Sequence, residues 1–355
     1  MNPTFIILGI LAFGVIIAIH ELGHYLAAKS LNVKVNEFAI GMGPKLLAKQ
    51  GKETLYSLRA LPFGGFCSME GEHEEGDEPD PRSFLSQKRW RRIVILAAGS
   101  VANFLAAFII IFILMAGAQG FLSSTISVVT DNLPNEGPSE LMAGDRIVAL
   151  NGERVFYNDD YMMMLRINAD RPIVLTLERD GELIEYQRRM YFVDGAWQFR
   201  YSINFEVIES NFWETFKYTG NQMYTFVRMI RLSIAMIISG SAGVRDLAGP
   251  VGIVSAINTI GQQTAEEQGM GAAIFGIVMF ASFIGVNVAV INLLPIPAMD
   301  GGRILFILVT WVIEKIIRKP LDPKYENYIN TGAFVLLICL MVFVLYNDVL
   351  REIGS

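Results

Sequence analysis

Residues 5–28 read FIILGILAFGVIIAIHELGHYLAA, an apolar run in which His20, Glu21 and His24 fall within five positions of one another. A hydrocarbon core of about 30 Å is crossed by about 20 helical residues, so the run is long enough to span a bilayer. An ionisable side chain at that depth is costly unless it faces protein, water or a metal. On a helix, residues four apart share a face, so His20 and His24 can turn two imidazoles toward one ion. Glu21 is offset enough to reach a water held beside that ion. A solvated polar face, the ordinary origin of such a pattern in soluble helices, is not open to a segment in lipid. The chain has only three His, and two are here. The spacing predicts a metal-binding helix, with zinc as the ion.

The rest of the chain fits a membrane setting. With 52% hydrophobic and 18% charged residues and a mean hydropathy of +0.40, it is too apolar for an ordinary soluble protein. Ile93 to Ala118, Ala272 to Leu294, and Ala333 to Tyr346 with its flanks are further spans, predicting a polytopic α-helical membrane protein with four transmembrane helices. The first run lacks a basic n-region and a small-residue cleavage site and carries the candidate ligands, so it reads as a retained span. Eleven Lys and Arg lie between Lys29 and Arg92, and a second cluster comprises Arg303, Lys315, Arg318, Lys319 and Lys324. Both loops are therefore expected on the cytoplasmic side, with residues 120–270 outside. Trp213 to Ser239 is interrupted by Lys217, Arg228 and Arg231 and reads as an amphipathic stretch on the outer surface; a fifth crossing would also split the metal site. The net charge of −6 argues against a nucleic-acid partner. Cys67 and Cys339 fall where they could not pair, so no disulfide is implied.

Two His leave a catalytic zinc short of a ligand, since such ions usually take three protein ligands and keep one position for water. Asp300, in Asn292-Leu293-Leu294-Pro295-Ile296-Pro297-Ala298-Met299-Asp300-Gly301-Gly302, is the strong candidate. Two prolines break the helix there, and unwound backbone at membrane depth is tolerated where it is buried in protein or lines a watery cavity. The alternative is that the prolines only end a span and Asp300 caps the next helix.

With these residues in hand, the chain resembles the site-2 protease family of intramembrane zinc metalloproteases, of the bacterial single-chain type with one PDZ domain. His20-Glu21-Leu22-Gly23-His24 matches the family's zinc helix. Asn292 to Gly301 matches its second motif, with Met299 where Leu is usual, a volume-conserving change. The similarity extends to Gly41-Met42-Gly43-Pro44, Tyr56-Ser57-Leu58-Arg59, Pro62-Phe63-Gly64-Gly65-Phe66 and Leu247-Ala248-Gly249-Pro250-Val251-Gly252-Ile253. In Gly99-Ser100-Val101-Ala102-Asn103 the family's Pro is missing, but Asn103 is kept. The resemblance implies His20, His24 and Asp300 as zinc ligands and Glu21 as general base and acid. It also places Asn103, Asn292, Pro295 and Pro297 on the substrate side, although Asn292 could equally serve a structural hydrogen bond.

Thr125 to Arg200 reads as a small β-rich domain, with strands at 126–129, 143–152, 173–178 and 183–190 and a hairpin turn at Asp180-Gly181. Its Gly144-Asp145-x-Ile147-x-x-x-Asn151-Gly152 pattern resembles a PDZ domain, a module that binds extended peptides at a sheet edge or, having lost that ability, serves as a size filter. Val35 to Ile40 and Thr54 to Leu61 alternate as a membrane-associated β-hairpin beside the metal, an edge on which an unwound substrate could be held. The acidic Glu70 to Asp80, with His73, reads as a solvated loop. The expected organisation is thus a first half of a protease core (1–119), an extracytoplasmic PDZ domain (120–205), an interfacial connector (206–270) and a second half of the core (271–355). The family resemblance implies a multi-pass enzyme of the bacterial plasma membrane whose active site lies near the cytoplasmic side. Its substrates would be single-span proteins already cut by another protease, anti-sigma factors and signal-peptide remnants among them. A membrane adaptor with structural zinc and a metal transporter are the rival readings; Glu21 speaks against the first and the appended peptide-binding domain against the second.

Overall fold

The computed structural model describes residues 2–72, 80–131, 140–168, 172–188, 190–193, 196–199, 201–240 and 249–319, with isolated positions beyond 330. In chain order the elements are α1 (Pro3–Ser30), β1 (Val35–Gln50), β2 (Leu55–Met69), α2 (Arg89–Met115), β3 (Gly120–Asp131), β4 (Arg146–Leu150), β5 (Glu153–Arg154), α3 (Asn158–Ile167), β6 (Ile173–Arg179), β7 (Glu182–Arg188), β8 (Met190–Val193), β9 (Ala196–Phe199), β10 (Tyr201–Glu209), α4 (Phe212–Ile238), α5 (Pro250–Gln268), α6 (Met270–Leu293) and α7 (Asp300–Ile317). They divide into two compact units, residues 1–111 with 226–355, and residues 112–225.

Among the described residues, three helices, α1, α2 and α6, are long and apolar enough to cross a membrane. They correspond to three of the expected spans. The fourth, Ala333 to Tyr346, falls almost wholly outside the described residues. The amphipathic stretch is the helix α4, which is not among the three.

In the first unit, Asn2 caps α1 by accepting from the Thr4 amide at 3.0 Å, with Pro3 in the first turn, where a missing N–H costs nothing. Glycines let the helices approach closely. A Cβ on Gly23 would stand 2.3 Å from the Ala98 carbonyl oxygen, which brings α2 against the metal-motif turn of α1. Near the start of α1, buried Phe5 packs with Ile257, Ala273 and Ile277 of α5 and α6. A second cluster joins Ala28, Val33, Val35, Cys67, Met69, Phe84, Ile95, Leu96 and Ile307, so the end of α1, the hairpin, α2 and α7 share one core. Pro295 stops α6, because the residue before a proline avoids the helical region; Leu294 is extended at φ −63°, ψ 148°.

The expected hairpin is longer and wider than its alternation indicated. Residues 37–40 of β1 are matched both to 65–68 and to 55–58 of β2, while 45–50 are matched to 55–59. Each long strand therefore folds back, giving a sheet four segments wide with 65–69 along one edge.

In the second unit the strand order is β10-β3-β4-β6-β7, with β5 on β4. Asp180 and Gly181 form the expected two-residue hairpin turn, with φ of 52° and 82°; Asn151 and Gly152, expected to end a strand, form a second one, with φ of 48° and 81°, the positive pair that matches strand twist. β3, β4, β6 and β7 answer to the four expected strands. β10, which pairs with β3 from Tyr201↔Asp131 to Glu209↔Gly120, and the helix α3 were not among the expectations.

Candidate metal centre

Helical spacing turns His20 and His24 to the same side of α1, and both are buried, with 7% exposure each. Asp300 begins α7, and its Oδ2 lies 3.2 Å from His20 Nε2 and 3.3 Å from His24 Nε2. The two Nε2 atoms are 3.1 Å apart, with the rings at 85° to each other. His24 Nδ1 lies 2.8 Å from the Ile95 carbonyl and donates its proton there. That fixes the neutral tautomer with the Nε2 lone pair directed inward. His20 Nδ1 is buried without a hydrogen-bond partner among the described residues.

With both imidazoles neutral and their Nε2 lone pairs turned inward, three electron-pair donors at this spacing repel one another unless a cation stands between them. Zinc bonds of about 2.0–2.2 Å to nitrogen and oxygen set tetrahedral neighbours about 3.3 Å apart. Edges of 3.1, 3.2 and 3.3 Å fit that triangle. These three residues are the group that could hold a metal among the described residues. They open on a cavity of ≈ 360 Å³ whose lining adds Glu21, Leu96, Glu72, Arg303 and residues 66–69 of the hairpin edge.

The break before α7 is built for close approach. A Cβ on Gly301 would meet the Leu293 and Leu294 carbonyls at 2.3 Å, and one on Gly302 the Ile296 carbonyl at 2.1 Å. Ala298 takes a left-handed φ of 71°, a conformation costing a non-glycine residue about 1 kcal/mol or more. The loop thus holds strain just before the residue it delivers.

Peptidase family M50 matches residues 8–340 of the chain. The chain belongs to that family. It is 35% identical, over 98% of both chains, to a Clostridium acetobutylicum protein that provisionally bears the name zinc metalloprotease. A Clostridium perfringens protein with the same provisional name is 34% identical over 98% of this chain and 99% of its own. The zinc metalloprotease RasP of Bacillus licheniformis is 26% identical over 96% of this chain and 98% of its own. As an M50 peptidase the chain is a zinc-dependent metalloprotease of the membrane.

Of the residues expected in the M50 site, His20, Glu21, His24 and Asp300 come together. Asn292 brings its amide nitrogen to 3.4 Å from His20 Nε2. Asn103 is buried, with its amide nitrogen unpartnered among the described residues, and does not line the cavity. Pro295 and Pro297 shape the loop without lining it. Several residues have a part in the site that the sequence reading did not assign. Gly99 lies against both imidazoles, where a Cβ would stand 2.4 Å from His24 Nε2 and 2.8 Å from His20 Cε1. Gly65 faces Glu21, whose Cγ would be 3.3 Å from an added Cβ. Glu72 belongs to the stretch expected as a solvated loop, yet its side chain is 10% exposed and paired with Arg303. His73 lies outside the described residues.

Proposed function

We propose that this M50 peptidase is an intramembrane endopeptidase making the second, site-2 cut in the transmembrane segments of single-span proteins. His20, His24 and Asp300 hold the zinc ion, and Glu21 is the general base and acid. The observation that carries this reading is the convergence of two imidazole nitrogens and one carboxylate oxygen within 3.3 Å in a cavity that Glu21 also lines. Bound zinc supplies a Lewis acid that polarises a carbonyl and lowers the pKa of water toward neutrality. Glu21 takes the proton from the attacking water and hands it to the leaving amide nitrogen. Asn292 offers a donor on the His20 side for the substrate carbonyl. Asn103, Pro295 and Pro297 act on the substrate's approach rather than on the reacting atoms.

A transmembrane helix hides its peptide bonds, so the substrate must be unwound before hydrolysis. The hairpin edge at 65–69, whose Phe66 to Met69 line the cavity, would hold the unwound segment as an added strand. In the same reading Ala333 to Tyr346 is the fourth transmembrane helix, and the hairpin and both basic loops lie on the cytoplasmic side of a bacterial plasma membrane. Residues 120–205 form an extracytoplasmic PDZ domain that admits ectodomains already trimmed by another protease. Residues 206–270 connect it along the membrane surface to the second half of the core. The resemblance to site-2 proteases points to anti-sigma factors and signal-peptide remnants as the substrate class.

The test is cleavage of tagged single-span substrates, truncated on the outer side, by purified enzyme in detergent. Wild type is compared with Glu21→Gln at matched zinc content. Loss of cutting with zinc retained is the expected result; equal cutting by both proteins would overturn the mechanism. If neither cuts any of several truncated spans while both retain zinc, an adaptor role replaces the protease reading.

A further inference from the structure

The candidate metal site carries a charge that its chemistry does not need. Arg303 follows Asp300 by one turn of α7, and helix residues three apart share a face. A guanidinium free in that position would take the Asp300 carboxylate in a bidentate pair, competing with a divalent cation for the same oxygens. The cation is engaged elsewhere. Arg303 Nη1 donates to Glu72 Oε1 at 2.6 Å, and the guanidinium carbon lies 5.3 Å from the centroid of the fully buried Phe84 ring. The Arg303 and Glu72 side chains are 18% and 10% exposed, so solvent screens the pair weakly. The charges on the cavity wall also balance. Glu21, Glu72 and Asp300 with Arg303 leave two negative charges when the imidazoles are neutral, which one Zn²⁺ cancels.

Resting on the assignment of His20, His24 and Asp300 as zinc ligands, we propose that Glu72 is a positioning residue for the metal: it sequesters Arg303 and so leaves the Asp300 carboxylate free for the ion. An inert staple between the loop after β2 and α7 would have a different signature, because it would need Arg303 as much as Glu72. Under the proposal Arg303 is the competitor, and removing it repairs the loss of Glu72.

The experiment is zinc affinity, by competition with a chromogenic chelator, of the full-length protein in detergent. The variants are E72Q, R303Q, E72Q/R303Q and E72Q/R303K, with H24A as control. E72Q is expected to bind zinc about 10–100-fold more weakly, the scale seen when an outer partner of a metal site is lost. R303Q should bind at least as tightly as wild type, E72Q/R303Q should recover, and E72Q/R303K should stay as weak as E72Q because the cation remains. Wild-type affinity in E72Q, or a double variant E72Q/R303Q no better than E72Q, overturns the proposal. Should E72Q not fold, R303Q decides alone, since weakened zinc binding in it contradicts a competing role. H24A separates the two levels: if it binds zinc like wild type the site assignment itself is wrong, whereas if it loses zinc while E72Q does not, only the role of Glu72 falls.

Discussion

Two aspartates, one buried in the second unit and one half-buried in the first, sit in opposite company. Asp160, fully buried in the second unit, is surrounded by donors. Its Oδ2 accepts from the amides of Phe156 and Tyr157 at 3.0 and 3.1 Å and from Asn221 Nδ2 at 3.0 Å, and its Oδ1 from the Thr225 hydroxyl at 2.5 Å. Asp300 in the first unit faces two imidazole nitrogens at 3.2 and 3.3 Å, and a neutral His24, its proton on the Nδ1 that donates to the Ile95 carbonyl, turns a lone pair toward it. A carboxylate ringed by donors is satisfied and structural, and one set against imidazole lone pairs suits a metal ligand. The partner inventory, more than burial, distinguishes a folding residue from a metal ligand.

The largest effect that could break this contrast comes from exchanging each aspartate for asparagine. Asp300→Asn should abolish stoichiometric zinc binding, a loss beyond the about 10–100-fold that an outer partner costs, while the thermal unfolding of the metal-free protein stays near that of metal-free wild type. Asp160→Asn should keep zinc but destabilise the protein by about 1–3 kcal/mol, because the charge behind its hydrogen bonds is lost and one of its two acceptor oxygens becomes a donor. Metal content after gel filtration and thermal unfolding in detergent read both. Zinc retained in the first variant or lost in the second would erase the distinction. Chelation sharpens it: stripping zinc should lower the wild-type midpoint, by the equivalent of about 4 kcal/mol at a thousandfold excess of metal over Kd, and leave Asp300→Asn unmoved.

Glycines repeat the contrast on a smaller scale. Gly99 is needed for space, since its Cβ would strike His24 Nε2 at 2.4 Å, so Gly99→Ala should expel or weaken zinc. Gly144 has nothing within 4 Å of an added Cβ but a φ of +95°. Gly144→Ala should therefore cost about 1–2 kcal/mol of stability through backbone strain and leave zinc affinity unchanged. Zinc titration and thermal unfolding of the two variants decide this.

What was legible in the chain follows the same division. The spans at α1, α2 and α6 and the trio His20, Glu21 and His24 are written in local pattern, because lipid makes every polar residue in a span conspicuous. The turn at Asp180-Gly181 was legible because two-residue hairpins demand positive φ, whereas the like turn at Asn151-Gly152 reads locally as the end of a strand. The curl of β1 and β2 was not, since matching residues 37–40 to two separate stretches of β2 is a long-range event that alternation does not encode. β10 was missed because its partner, β3, lies about 80 residues away, a pairing no local strand signal reports. Glu72 looked like one more acid in an acidic run; only the arrival of Arg303 from the far end of the chain sets it apart. Gly99 stood out only as part of the Gly99 to Asn103 motif; its role was hidden because two rings on another helix define it.

The smallest expected effect concerns a further aspartate, buried Asp145, which is satisfied by charge. Burial alone pushes the Asp145 carboxyl up, but the Arg179 guanidinium, donating at 2.6 and 2.7 Å, and the Met142 amide at 2.9 Å outweigh it and hold the group below the ordinary aspartate range. A depressed value in the folded state means that the unfolded chain binds the proton first as acid is added. The contribution is therefore complete above the unfolded value near pH 4 and is lost as the pH falls below it through the folded value. Asp145→Asn should lower stability at neutral pH and flatten the acid arm of the stability curve below about pH 4, measured by denaturant unfolding in detergent across that range. If the variant and wild type lose stability in parallel down to the lowest pH, the Arg179 pair adds nothing to folding, and satisfaction by charge in the second unit would be worth less than satisfaction by the neutral donors around Asp160.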